Sequence, residues 1–277
     1  MDIPVPSILS KAKSSMVVLK PFPHVIIQDA IPQVFANELT SQFPLDFFDL
    51  SEDNKRIDIN SYQANHKKGI SKVWRDFIAY HSSQEFFCEF INIFKDALED
   101  SHNFTFDSLK NYKVGRREEH SFASKDFLLD AQISINTPAL TTNSVRQAHV
   151  DNENKLFSGL FYLRQPDDNS IGGDLQLCKW PTNYNEKLKL KTYKEGLHEN
   201  YYEVFDEISY QNNVAIMFLN SLDALHSVSP REPTSNTRTF MNLVGEMPYD
   251  IFTKHTFGEK IIMNSKAKFK KMIQKES

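Results

Sequence analysis

Cysteine is almost absent. The two present, Cys88 and Cys178, form no spacing motif among 277 residues. A secreted disulfide scaffold is therefore not expected, and a reducing compartment fits. No apolar stretch approaches the ~20 residues a membrane span requires. The opening Met1-Asp2-Ile3-Pro4-Val5-Pro6 lacks a charged region followed by an apolar run, so no signal peptide is visible. Basic excess is missing as well: the net charge is −4, which argues against general nucleic-acid affinity. There is no repeat of fixed period and no low-complexity segment. The expectation is a cytoplasmic globule, and 40% hydrophobic residues, including 22 Phe, are enough for a substantial core.

Residues 1–125 read as helical support and first strands. Pro21-Phe22-Pro23 punctuates a short β-branched strand ending near Asp29. Ile31, Val34, Phe35, Leu39 and Phe43 follow at approximate helical spacing and stop at Pro44. Residues 45–70 are polar and irregular. A helical region from Lys72 to Leu98 carries Phe77, Phe86, Phe87, Phe90 and Phe94, an aromatic stripe expected to cover a core. From residue 126 to 247 short apolar runs alternate with turn residues: Leu128–Ile135, Val145–Val150, Leu156–Leu163, Asp174–Cys178, Val214–Leu219 and Thr237–Val244. That pattern predicts a sandwich or barrel, so the fold class is mainly β with flanking helices. Lys187–Glu203, rich in Lys, Tyr and Glu, reads as an insertion or flap over one end. The stretch 248–277 is expected to be a solvated amphipathic tail, all three regions making one domain.

Chemistry concentrates in His149-Val150-Asp151 and His226. On a strand, residues two apart point to one face, which suits two adjacent ligands on one metal. Two imidazoles and one carboxylate can occupy one face of an octahedral metal and leave three positions open, the ligand set of non-heme Fe(II) oxygenases. His-x-Asp alone is weak, and a lone histidine is more often a satisfied core or surface residue. Arg238 opens an alternating run in which Arg238, Phe240, Asn242 and Val244 share a face, whereas Arg231, beside Pro230 and Pro233, reads as a surface loop charge. An arginine offers a fixed fork for a carboxylate.

Taken in order, His149-Val150-Asp151, Tyr162-Leu163, Gly172-Gly173-Asp174-Leu175, His226-x-Val228-x-Pro230 and Thr237-Arg238 resemble the prolyl-4-hydroxylase-like branch of the 2-oxoglutarate and Fe(II)-dependent oxygenases. The resemblance covers roughly Gln132 to Gly245. It implies a double-stranded β-helix (jelly roll, cupin-like) core. It also implies Fe(II) held by His149, Asp151 and His226, with 2-oxoglutarate and O2 as cosubstrates. The far carboxylate of 2-oxoglutarate would be held by Arg238 or, less well, Arg231, with Tyr162 hydrogen-bonded to it and Asn242 lining the pocket. Halogenating relatives lack the carboxylate ligand, so Asp151 favours hydroxylation, demethylation or desaturation. The substrate expected is a small amino-acid-derived metabolite, gripped by groups such as Arg146, Trp180 or His198; strict alternation would turn Arg146 away from the metal. A peptide is the nearest alternative. A cupin-like binding module or isomerase is the rival of another class, and Arg238 argues against it, because a binding module needs no cation at one cosubstrate length from a metal.

Overall fold

The computed structural model describes residues 4–254. In chain order the strands are β1 (His24–Ile27), β2 (Arg56–Ile59), β3 (Val114–Arg116), β4 (Phe127–Asn136), β5 (Lys155–Tyr162), β6 (Leu175–Lys179), β7 (Glu203–Ile208), β8 (Val214–Leu219), β9 (His226–Val228) and β10 (Arg238–Glu246). One sheet has the order β1-β8-β5-β10-β4-β2, with β3 pairing β4 in parallel; the other has β7-β6-β9. The segment 143–150 lies along the free edge of β9, bridged at Asn143 to Arg231 and at His149 to His226. From β4 onward the chain therefore visits the large sheet, the small sheet (143–150), the large sheet (β5), the small sheet (β6, β7), then large (β8), small (β9) and large (β10). That alternation between facing antiparallel sheets is a double-stranded β-helix.

Period-two alternation explains which side does what. On β10, Met241 and Leu243 join the main core, while Arg238, Phe240, Asn242, Val244 and Glu246 line a cavity between the sheets. Its neighbour β4 sends Leu129, Ala131, Ile133 and Ile135 to the core and Gln132 and Asn136 to the cavity. Helices cover the outer face: α1 (Gln33–Ser41), α2 (Ser61–His66), α3 (Lys72–His81), α4 (Gln84–Ile93), α5 (Lys95–His102) and α6 (Phe106–Leu109). Phe77, Phe86, Phe87, Phe90 and Phe94 are all fully buried. Phe90 meets Phe157 of β5 with ring centroids 4.0 Å apart, and Phe87 meets Phe127 of β4 at 4.6 Å. Each such ring contributes about 1.5–3 kcal/mol on burial, far more than the propensity of a short helix.

Three expectations differ from the structure. The region from Lys72 to Leu98 is three helices: Ser83 caps α4 by accepting the Phe86 N–H, and Ser82 turns its hydroxyl back to Ile78 O. Residues 45–70 contain β2 and α2, the latter closed by a capping box between Asn60 and Gln63. Val145–Val150 is no regular strand, since its bridges to the β9 side are isolated ones. The insertion between β6 and β7 forms α7 (Glu186–Glu195). The expected helix over 266–275 lies outside the described residues. Among the described residues no helix is long and apolar enough to cross a membrane.

Candidate active site

His149 and Asp151 end the segment beside β9, and His226 begins β9 itself. Mutual backbone hydrogen bonds, His149 N–H to His226 O at 2.9 Å and His226 N–H to His149 O at 3.0 Å, bring the two imidazoles together. Their ring centroids are 4.3 Å apart. One ligand atom from each of His149, Asp151 and His226 lies within 4.8 Å of the others. Each imidazole is oriented the same way. His149 Nδ1 meets Gln147 O at 2.8 Å and His226 Nδ1 meets Ala224 O at 2.9 Å. A carbonyl can only accept, so each Nδ1 carries the proton and each Nε2 keeps a free lone pair, as metal-ligating histidines do. Asp151 accepts from the Ser158 hydroxyl at 2.5 Å and from Lys155 Nζ at 3.2 Å. Ser158 in turn accepts from Asn220 Nδ2 at 3.0 Å.

Electrostatics favour two neutral imidazoles beside an ionised carboxylate. Burial pushes the His149 imidazole well below its ordinary range, His226 adds to that, and Asp151 opposes it. Burial lowers His226 too, against the pull of Asp151. For Asp151, burial raises the carboxyl, but Lys155, the two imidazoles and Ser158 together outweigh it and hold the group ionised.

A cavity of about 570 Å³ joins this cluster to Arg238. Arg238 is 2% exposed and is enclosed by the rings of Tyr162, Tyr210 and Phe240, 4.7 to 5.0 Å from its guanidinium carbon. One Nη1–H donates to Asn136 Oδ1 at 3.1 Å. Its Nε and Nη2 groups have no partner, nor do Asn136 Nδ2 and the Tyr162 hydroxyl, all buried. Burial raises the Tyr162 phenol above its usual range, opposed by the Arg238 charge. Unpaired buried donors are costly, so this corner fits an anion that is not part of the chain. Asn242 lines the cavity and donates to Gln132 Oε1 at 2.7 Å.

Arg231 differs from expectation. It is 1% exposed rather than a surface charge, and its two Nη groups go to Thr137 O at 3.0 Å, Asn236 O at 2.7 Å and Asn54 Oδ1 at 3.4 Å, leaving only Nε without a partner. It ties a loop and does not line the cavity. The glycine pair makes room for it. Gly172 and Gly173 have φ of +78° and +79°, and a Cβ on Gly172 would sit 1.9 Å from Pro230 O. Arg146 does line the cavity, because bends at Val145 and Arg146 break the alternation that would have turned it away. Trp180 and His198 do not line it. The Trp180 indole donates to Leu222 O at 2.9 Å and packs with Val150, Cys178 and Leu225. His198 precedes a 3-10 turn and rests near the Tyr201 ring. The sequence reading missed Arg56, Asp58, Gln132, Asn136, Lys155, Ser158 and Glu246, all on the cavity wall.

No family model matches the sequence, and no curated protein matches it. Solved structures are similar in fold. A Pseudomonas putida prolyl-4-hydroxylase has a TM-score of 0.44 and 10% identity over 82% of this chain and 93% of that one. HygX from Streptomyces hygroscopicus with iron bound has 0.43 and 10% over 82% of each chain. The collagen prolyl hydroxylase of Paramecium bursaria Chlorella virus-1 in its 2OG complex has 0.40 and 12% over 82% and 96%. At these values the chemistry rests on the side chains of the site.

Proposed function

We propose that the protein is a non-heme iron(II) oxygenase that takes 2-oxoglutarate as cosubstrate and oxidises a small molecule. The observation that carries this is the convergence of His149, Asp151 and His226 within 4.8 Å, in one cavity with a buried arginine whose Nε and Nη2 groups are unpaired. Two neutral imidazoles and an ionised carboxylate suit a divalent iron and leave positions open. His149 Nε2, Asp151 and His226 Nε2 would hold the metal; Arg238, Tyr162 and Asn136 would satisfy the far carboxylate of the 2-oxo acid. Bound iron supplies dioxygen activation coupled to oxidative decarboxylation of that acid to succinate and carbon dioxide.

The chain's own groups do the rest. Gln147 O and Ala224 O fix both imidazole tautomers, and Ser158 and Lys155 fix the carboxylate. Leu160, Leu175, Phe218 and Phe240 supply the apolar part of the cavity wall. A carboxylate at position 151 favours hydroxylation, demethylation or desaturation. The cavity volume falls in the small-molecule range of about 300–1,000 Å³, which favours a metabolite over a peptide. Free Cys88 and Cys178 fit cytoplasmic placement. The test is succinate release by protein supplied with Fe(II), 2-oxoglutarate and air. Release should require iron and vanish in Asp151→Ala. Iron-independent release, or equal release by that variant, contradicts the proposal.

A further inference from the structure

The charge on the cavity wall is unbalanced. Lys55, Arg56, Arg117, Arg146, Lys155 and Arg238 line it, against three carboxylates, Asp58, Asp151 and Glu246. Most of these cations already have a polar partner. Lys55 meets Glu52, Arg56 meets Asp58 at 2.9 Å, Arg117 meets Glu246 at 3.6 Å and Lys155 meets Asp151 at 3.2 Å. Arg238 donates to Asn136 and keeps its spare N–H groups for the cosubstrate. Arg146 is the exception: it is solvent-exposed where it lines the cavity, and among the described residues its guanidinium makes no hydrogen bond and no ion pair, so a ligand there would displace only water. A metal dication and the dianion of 2-oxoglutarate cancel each other, so the excess of positive charge survives their binding.

The position of Arg146 gives that excess a direction. Its carbonyl accepts the Val228 N–H at 3.0 Å, which anchors it beside β9 two residues from His226. Its charge is felt by both ligand imidazoles. Val145 and Val228 flank it on the same wall. A planar guanidinium with open N–H groups beside apolar surface recognises a carboxylate on an aliphatic body. Building on the oxygenase reading above, we infer that the substrate is a carboxylate-bearing aliphatic small molecule whose anionic end is held by Arg146, which places its carbon chain toward the metal.

The test uses full-length protein loaded with manganese(II) and 2-oxoglutarate, so that binding is measured without turnover. Aliphatic carboxylic acids, α-amino acids and the primary amide of each are titrated by calorimetry. Then succinate release is measured with iron. At least one acid should bind about tenfold or more tighter than its amide, and Arg146→Gln should reduce that ratio toward one. The ratio is internally normalised, so a general loss of folded protein does not mimic the effect; Arg146→Lys should retain part of it. Equal binding of acid and amide, undiminished discrimination in Arg146→Gln, or no binding by any acid overturns the inference. Acid-selective binding with no iron-dependent succinate release would instead contradict the oxygenase reading and leave the role of Arg146 standing.

Discussion

Replacing Arg238 by methionine separates a ligand-binding arginine from a structural one. In the protein alone, its Nε and Nη2 groups are buried without partners. A carboxylate accepting from both forms two charge-assisted hydrogen bonds, worth about 1.5–3 kcal/mol each. Arg238→Met should therefore cost about 3–5 kcal/mol of 2-oxoglutarate binding, raising KM for that cosubstrate about 10²–10⁴-fold. Folding should not suffer in proportion, because the variant also removes two unsatisfied buried donors and leaves only Asn136 Oδ1 without its donor. Arg231→Met should do the reverse. It strands Thr137 O, Asn236 O and Asn54 Oδ1, a loss of about 2–4 kcal/mol, or about 5–10 °C in Tm. Its KM for 2-oxoglutarate should move less than about threefold. Succinate kinetics against cosubstrate concentration, with melting curves for both variants, decide it. An unchanged KM in Arg238→Met, or the larger KM effect in Arg231→Met, refutes the reasoning.

Other outcomes follow from the same geometry. Ser158→Ala removes a hydrogen bond to Asp151 and strands Asn220 Nδ2, so divalent-metal affinity by calorimetry should fall about 10–100-fold; unaltered affinity would show that this hydroxyl contact does not orient the carboxylate. His81 is fully buried, accepts the Ile8 N–H at Nε2 and donates from Nδ1 to Phe77 O, and burial lowers its pKa from 6.5 to about 4. The unfolded chain takes up a proton at this site below pH 6.5 while the folded protein does not until about pH 4, so the contribution is complete above 6.5 and is lost as pH falls from 6.5 to 4. The loss is about 3 kcal/mol. Urea unfolding across that window should show a shallower pH slope in His81→Phe than in the wild type, and identical slopes would sink the burial argument. Gly172→Ala places a Cβ 1.9 Å from Pro230 O at a φ of +78°, so a fall of about 3 kcal/mol or more in stability is expected, and an unchanged Tm would contradict that close approach.

The parts of this fold that the sequence reveals are those governed by period. Val214–Leu219 is read off residue for residue, and β10 follows from the alternation Arg238, Phe240, Asn242, Val244. His149, Asp151 and His226 are legible because a rare ordered set of residue types surrounds them. What escaped depends on which polar faces the fold closes over. Asp130, Gln132, Ser134 and Asn136 alternate with Leu129, Ala131, Ile133 and Ile135, a polar face on a wholly buried strand, and that pattern already marked a cavity wall. Ile57 and Ile59 carried the same signal for β2, hidden within a polar stretch, so Arg56 and Asp58 were missed. The path of residues 143–150 follows from bridges to residues far along the chain, beyond the reach of local spacing, and the burial of Arg231 rests on carbonyls no motif announces.

The most direct measurement is anomalous diffraction at the iron edge from crystals grown anaerobically with iron(II) and 2-oxoglutarate. One iron peak is expected, bonded to His149 Nε2, His226 Nε2 and one Asp151 oxygen at about 2.0–2.2 Å, with the diacid reaching Arg238. An iron peak elsewhere, or a cosubstrate whose far carboxylate rests on Arg231, would contradict it.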